Sequence, residues 1–255
     1  MITKAKIIRK ASDEGVPAKT VERDYALAHI IAAIAVVNTD GMLVFKGGTA
    51  LRLCHFEDYR YSADLDFSVL DASTADGLAR IGEALKGVGD ALFEPRLTDA
   101  SPPRISYTGP LEGYRELKLD LADDELVVNT EERPLIRRWD NLPPESTMRV
   151  YTTLEVAAEK LRCVIQRLQC RDLYDLHVLL SERGLDLGEA ALLFEEKARH
   201  RGIDPAGFSA RYERRVVEYE KRWERELTEH VQGEPPHFDA VQRAVARHLR
   251  RAKLI

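Results

Sequence analysis

The chain has 255 residues, 44% of them hydrophobic and 32% charged, which is enough apolar material to bury a core, so the chain need not be disordered. Lysine and arginine total 38 against 43 acidic residues, a net charge of −5, so any nucleic-acid-binding surface must be local rather than global. At roughly 100 to 200 residues per domain, the length allows one large domain or two small ones.

The longest apolar run, Ile30 to Val37, is far shorter than the roughly 20 residues of a membrane span. Met1 to Gly15 mixes Lys4, Lys6, Arg9 and Lys10 with Asp13 and Glu14 and has no apolar h-region. These features lead us to expect neither a membrane association nor a secretory signal, and a cytoplasmic location. Cys54, Cys163 and Cys170 form no C-x-x-C pair and are expected as buried small hydrophobes in a reducing compartment. Neither H-x₃-H nor H-E-x-x-H spacing occurs among the histidines, so no zinc site is expected.

Apolar residues recurring at helical spacing predict a helix from Thr20 to Val37, with Thr20 as N-cap and Glu22 and Asp24 complementing the positive end of its dipole. Leu43 to Lys46 is expected as a short buried strand running into a turn at Gly47-Gly48, followed by a short helix from Thr49 to His55. Leu65, Phe67 and Val69 alternate with Asp64, Asp66 and Ser68, the period-two signature of a strand with one wet face. Ala72 to Leu92 reads as a helix, and Ile105 to Thr108 and Leu117 to Leu121 as strands, with Lys118 and Asp120 on one face of the second. Pro134, Pro143, Pro144 and Ser146 mark Glu131 to Thr147 as a linker.

Everything beyond that interval reads helical. Thr152 and Glu155 form a capping box before a helix carrying Lys160. Further helices are expected over Asp172 to Glu182, Leu187 to His200, Pro205 to about His230, and Phe238 to Lys253. The expected fold class is α+β: a mixed sheet with helices over residues 1–140, then an all-helical domain over 141–255.

The sharpest chemical feature is Gly47-Gly48-Thr49 followed by Asp64-Leu65-Asp66. Aspartates two apart on one strand face have α-carbons about 6.5 to 7 Å apart, and their oxygens can converge on hard cations such as magnesium. Such a site can hold two ions about 3.5 to 4 Å apart that clamp the attacking and leaving oxygens of a phosphoryl displacement. Asp120, turned to the wet face of its own strand, is the candidate third carboxylate. The glycine pair can bring backbone N–H groups against a triphosphate. No P-loop spacing is present.

Five separated stretches carry a family resemblance: Glu22-Arg23-Asp24-Tyr25 with Leu27; Phe45-Lys46-Gly47-Gly48-Thr49-Ala50-Leu51-Arg52; Arg60-Tyr61-Ser62-Ala63-Asp64-Leu65-Asp66-Phe67; Lys118-x-Asp120; and Ala158-Glu159-Lys160-Leu161-Arg162 leading to Arg171-Asp172-Leu173-Tyr174-Asp175-Leu176. In this order, spanning roughly residues 20 to 180, the chain resembles the AbiEii/AbiGii family of toxin nucleotidyltransferases, which includes the MenT toxins, within the polymerase-β-like superfamily. The resemblance implies a nucleotidyltransferase fold followed by a helical domain, transferring a nucleotide from a nucleoside triphosphate to an acceptor with Mg²⁺ or Mn²⁺ as cofactor. In the best understood members the acceptor is the 3′ end of tRNA, and blocked aminoacylation makes the enzyme toxic. It also implies an antitoxin encoded nearby.

By motif, Asp64 and Asp66 would hold the metals, with Asp120 in the third position. Lys160 would reach the triphosphate, and Asp172 and Asp175 would line the same cleft. Lys46, Gly47, Gly48, Thr49, Arg52, Arg60 and Ser62 surround the glycine turn and are candidates for contacting the nucleotide; Arg52 and Arg60 could equally pair with nearby carboxylates. Phosphorylation of Ser62 would add about −1.5 to −2 charges beside the metal ligands and obstruct the triphosphate.

The one locally basic stretch is the last helix, where Arg243, Arg247, Arg250, Arg251 and Lys253 stand against Asp239. It can either hold tRNA phosphates or be a solvated helix packed through Phe238, Val241, Val245 and Leu249. Two other functions compete. Glu116-Leu117-Lys118 with an upstream aspartate imitates a D…E-x-K metal-dependent nuclease, and a module binding a nucleotide or partner without turnover would carry the same motifs.

Overall fold

A computed structural model of the protein describes residues 1–143 and 146–255. It contains two compact units. The first comprises residues 1–124, 130–150 and 230–233, and the second residues 125–129, 151–229 and 234–255.

The first unit is built on a seven-stranded mixed sheet in the order β3-β4-β5-β2-β1-β7-β6. Its strands are β1 (Leu43–Lys46), β2 (Asp64–Val69), β3 (Phe93–Leu97), β4 (Arg104–Thr108), β5 (Tyr114–Ala122), β6 (Thr130–Pro134) and β7 (Thr147–Tyr151). Helices α1 (Lys4–Glu14), α2 (Ala18–Val37), α3 (Gly47–Ala50) and α4 (Thr74–Lys86) accompany it, with a π-helical turn at Leu51–His55. Strand β1 pairs antiparallel with β2, and β2 pairs parallel with β5. The odd-numbered side chains Leu43, Phe45, Leu65, Phe67, Leu117 and Leu119 enter one core with Val21, Ile30, Ile31 and Ile34 of α2. Period-two alternation thus leaves Asp64, Asp66, Lys118 and Asp120 on the opposite face.

Several expectations change. The predicted first long helix begins at Ala18 with Pro17 as N-cap, so Thr20 lies buried inside the helix and caps nothing. Glu22 and Asp24 are not dipole partners but buried acids. Glu22 accepts a hydrogen bond from the Leu111 N–H and pairs with Arg115 at 3.3 Å. The helix expected over 72–92 ends at Lys86, because Gly87 follows as its C-cap and Gly89 takes a positive φ.

The edge strands β3 and β6 each contain a proline, Pro95 and Pro134, which is tolerated where no inner neighbour needs the missing N–H. The interval read as a linker supplies β6 and the start of β7, and its Trp139 and Leu142 join the core; Pro144 lies outside the described residues. Residues 147–151 are therefore strand rather than helix, held by the parallel pairing of β7 with β1.

The second unit is helical: α5 (Thr153–Gln166), α6 (Cys170–His177), α7 (Leu187–His200), α8 (Phe208–Leu227) and α9 (Phe238–Arg251). Thr152 caps α5 by accepting from the Glu155 N–H at 3.2 Å, but the reciprocal half of the expected capping box is missing. The Glu155 carboxylate instead accepts from the Val128 and Asn129 N–H groups and pairs with Lys197, tying residues 125–129 to the bundle. Helix α9 buries Val241, Val245 and Leu249 and exposes Arg243, Arg247, Arg250 and Arg251, so the packing and solvated-cation readings of this helix hold together. Among the described residues all three cysteines are free; burial pushes the Cys54 and Cys170 thiols up to about 12 and Cys163 to about 11. No helix among the described residues is long and apolar enough to cross a membrane.

Candidate active site

In the first unit, β1 delivers the chain to the glycine turn, and each glycine is required by a different neighbour. Gly47 adopts φ +74°, and a Cβ there would stand 2.6 Å from Asp66 Oδ2. A Cβ on Gly48 would meet Arg60 Nη2 at 2.6 Å and Ser62 Oγ at 3.3 Å. Thr49 Oγ1 donates to the Asp64 carbonyl at 2.5 Å, fastening α3 to the start of β2. The turn and the acidic strand are therefore one interlocked structure. Lys46 lies opposite Asp66 in the β1–β2 register and is 8% exposed, while Arg60 and Ser62 are also buried.

Asp64 and Asp66 are half-buried on the same face of β2. Asp66 is directly paired with Asp120 of β5, and Asp64 with Lys118. Asp120 is more open, its side chain 58% exposed and 3.6 Å from Lys118 Nζ. Among the described residues no three histidine, cysteine or acidic side chains form a group that could hold an ion. Two carboxylates are nevertheless a fitting donor set for Mg²⁺, which is usually held by one or two protein carboxylates with substrate phosphates and water. The missing Cβ at Gly47 leaves the approach to Asp66 open.

Arg52, a candidate phosphate contact, is turned inward. It is 1% exposed, pairs through Nε with Asp24, donates to the Tyr59 carbonyl, and stacks with its guanidinium carbon 3.7 Å from the Tyr61 ring centroid. Burial opposes its charge, but Asp24 outweighs it and holds the pKa above the ordinary arginine value. Arg138 donates two hydrogen bonds to the Arg52 carbonyl; burial and the Arg52 charge bring its own pKa down to about 10. Arg52 is thus a positioning residue for the segment that carries Arg60, Tyr61 and Ser62 into β2.

In the second unit, Lys160, Asp172 and Asp175 meet in a buried network. Lys160 Nζ lies 2.8 Å from Asp172 Oδ1 and 2.6 Å from Asp175 Oδ2, with all three residues less than 10% exposed. Arg167 grips Asp172 with two hydrogen bonds of 2.8 and 3.1 Å. Burial raises the Asp172 pKa, but Lys160 and Arg167 outweigh it and leave the carboxyl below its ordinary value. Asp172 and Asp175, three apart, lie on one helix face, and both turn toward the same ammonium.

Of the two roles expected for Arg52 the structure shows the carboxylate pairing, but neither Asp24 as its partner nor the role of Arg167 is legible in the sequence. Asp24 lies 28 residues from Arg52, beyond the reach of local spacing, and Arg167 follows α5 in extended backbone outside any helical register. The nuclease-like Glu116 and Lys118 do share the Asp120 face, but Glu116 accepts from Tyr114 Oη at 2.6 Å and lies 3.6 Å from Arg104.

The family described as "Nucleotidyl transferase AbiEii toxin, Type IV TA system" matches residues 29–247. Among solved structures, the chain is similar to MenT4, a nucleotidyltransferase toxin from Mycobacterium tuberculosis H37Rv, at 22% identity over 97% of this chain and 88% of that one, with a TM-score of 0.72. A likeness to an antigenic nucleotidyltransferase-like protein from Paracoccidioides brasiliensis is too weak to argue from, with 12% identity over 73% of this chain and 92% of that one and a TM-score of 0.39. No curated protein matches in sequence. The mixed sheet, the glycine turn beside two strand aspartates and the match over most of the chain agree: the protein belongs to the AbiEii nucleotidyltransferase toxin family.

Proposed function

We propose that the protein transfers a nucleoside monophosphate from a nucleoside triphosphate to the 3′ end of an RNA, with tRNA as the acceptor, and thereby blocks aminoacylation and translation. The observation that carries this reading is the interlock of Gly47 with Asp66 and of Gly48 with Arg60 and Ser62, which sets the glycine turn against the paired strand carboxylates. Phosphoryl transfer asks a protein mainly for positioning and charge neutralisation, and that combination supplies both.

Asp64 and Asp66 would hold Mg²⁺ or Mn²⁺, with Asp120 adjoining them. A bound divalent ion would supply charge neutralisation at the triphosphate. Lys46, Gly47, Gly48, Thr49, Arg60 and Ser62 cradle the triphosphate; in the second unit Asp172 and Asp175 orient Lys160, which the family motif marks as functional. The 3′-hydroxyl oxygen bonds to the α-phosphorus as the bond to the β-phosphate oxygen breaks. Pyrophosphate leaves, and the hydroxyl proton passes to a carboxylate of the Asp64–Asp66 pair. The carboxylates fall in the domain expected over residues 1–140, and Lys160 in the helical domain expected over 141–255. The exposed arginines of α9 would add RNA phosphate contacts. Family membership further supports a cognate antitoxin and a cytoplasmic site of action.

The test is incubation of the protein with each labelled nucleoside triphosphate, Mg²⁺ or Mn²⁺, and total tRNA, followed by sequencing of RNA 3′ ends. Label on intact tRNA that disappears in Asp64→Ala supports transfer. Shortened RNA would identify a nuclease, and toxicity retained by Asp64→Ala would identify a binding module without turnover.

A further inference from the structure

Beyond the nucleotide cradle, the same face of the sheet continues over β5, β4 and β3. Pairing places Lys118 beside Arg104, Glu116 beside Ser106, and Tyr114 beside Thr108, while Arg96 and Phe93 of β3 stand opposite Ser106 and Thr108. A wet antiparallel face is expected to be polar. This one is polar except at one row: Phe93 and Tyr114, 61% and 60% exposed, are the two residues among Phe, Tyr and Trp left exposed among the described residues, and they share the row through Thr108. The bond from Tyr114 Oη to Glu116, two residues along the strand, holds the tyrosine ring along the strand.

The cations around the rings are Arg96, which is exposed, and Arg104 and Lys118, whose side chains are 41% and 43% exposed. Two acids lie among them: Glu116 is engaged by Tyr114 and lies 3.6 Å from Arg104, and Asp120 lies 3.6 Å from Lys118, so neither acid presents an unopposed charge and Arg96 is the most exposed of the cations. Strand β5 leads directly to Asp120 and, through register, to Asp66. At about 3.3 Å per residue, Tyr114 lies about 20 Å along the strand from Asp120.

We propose that this open face of β3, β4 and β5 is the platform on which the single-stranded 3′ segment of the RNA acceptor lies, its bases stacked on Tyr114 and Phe93 and its phosphates held by Arg96, Arg104 and Lys118. Exposed aromatic rings interleaved with cations on a sheet are the chemistry by which single strands are held without strict sequence choice. The face is continuous with the paired carboxylates, so a strand lying on it ends with its 3′-hydroxyl directed toward Asp66 and Asp120. The inference rests on the reading of the protein as an RNA nucleotidyltransferase.

The test uses the full chain and a short fluorescein-labelled single-stranded RNA, with binding followed by anisotropy in the absence of triphosphate, and transfer kinetics measured alongside. The double variant Phe93→Ala/Tyr114→Ala should weaken RNA binding about tenfold or more and raise the KM for RNA, while the KM for triphosphate and the melting temperature stay unchanged. Arg96→Ala/Arg104→Ala should lower the slope of log affinity against log salt by about 1.4, two phosphate contacts at about 0.7 each. Phe93→Tyr, which keeps both rings and the bond from Tyr114 to Glu116, should retain the RNA binding that the alanine double variant loses. Unchanged RNA affinity and RNA KM in the alanine double variant, when the wild-type protein labels RNA, overturns the platform and leaves the transferase reading intact. If the same variant loses only binding to a protein partner, the face belongs to that partner and the proposal is overturned. Wild-type protein that labels no RNA overturns the transferase reading and the platform together.

Discussion

Gly47 and Asp66 approach each other so closely that a β-carbon on residue 47 would lie 2.6 Å from the Asp66 carboxylate oxygen, while the glycine backbone itself sits at φ +74°. Both constraints act on one atom that glycine lacks. Gly47→Ala is therefore expected to lose about 1 to 2 kcal/mol of stability from the left-handed backbone alone. It should also displace the Asp66 carboxylate and abolish transfer. Denaturant titration measures the first effect and a labelled-nucleotide assay the second; a variant with wild-type turnover would show that Asp66 does not need its present position.

Lys160 pairs with Asp172 and Asp175 in a buried network, so Lys160→Ala removes a cation that two buried carboxylates share. A loss of about 3 to 5 kcal/mol is expected. Arg167 still pairs with Asp172 in this variant. Asp175→Asn in the Lys160→Ala background should recover part of the stability but none of the activity, as read by thermal melting and by transfer rate.

The depressed Asp172 pKa carries a pH signature. A carboxyl whose pKa is lower in the folded than in the unfolded chain stabilises the fold fully above its ordinary value, about 3.9, and loses that contribution as pH falls through the native value. Wild-type stability should thus drop more steeply than that of Asp172→Asn below about pH 5. Unfolding free energies measured across the acid range test this, and parallel curves would remove Asp172 from the acid response.

The Arg52–Asp24 pair is buried, so breaking it from either side should cost about 3 to 5 kcal/mol, whereas Arg52→Met with Asp24→Leu should be less damaging than the sum of the single changes. Because Arg52 holds the Tyr59 carbonyl and the Tyr61 ring, the double variant should raise the KM for triphosphate more than it lowers kcat. A kcat loss with unchanged KM would instead indicate direct contact with the reacting groups.

Ser62 is 5% exposed and lies against Gly48. Its modification by a phosphate requires this segment to open. Ser62→Glu should suppress triphosphate binding through charge beside Asp64, while Ser62→Ala should keep it. Full activity in the glutamate variant would exclude Ser62 as a silencing position.

The amino-acid sequence by itself determined the features written in short-range periodicity: the strands β1, β2, β4 and β5, the glycine turn, the common face of Asp64 and Asp66, and the helical character of the last hundred residues. Each rests on side chains two to four residues apart, where strand and helix geometry fix which faces agree. Tertiary structure alone decided the partners. Asp24 with Arg52 and Glu155 with Lys197 are 28 and 42 residues apart, and both acids had carried plausible local roles at helix ends. The edge strands β3 and β6, each with a proline, owe their identity to the ladder beside them rather than to their own pattern. A buried charge must find an opposite charge or desolvation excludes it, and only the folded chain determines which one lies within reach.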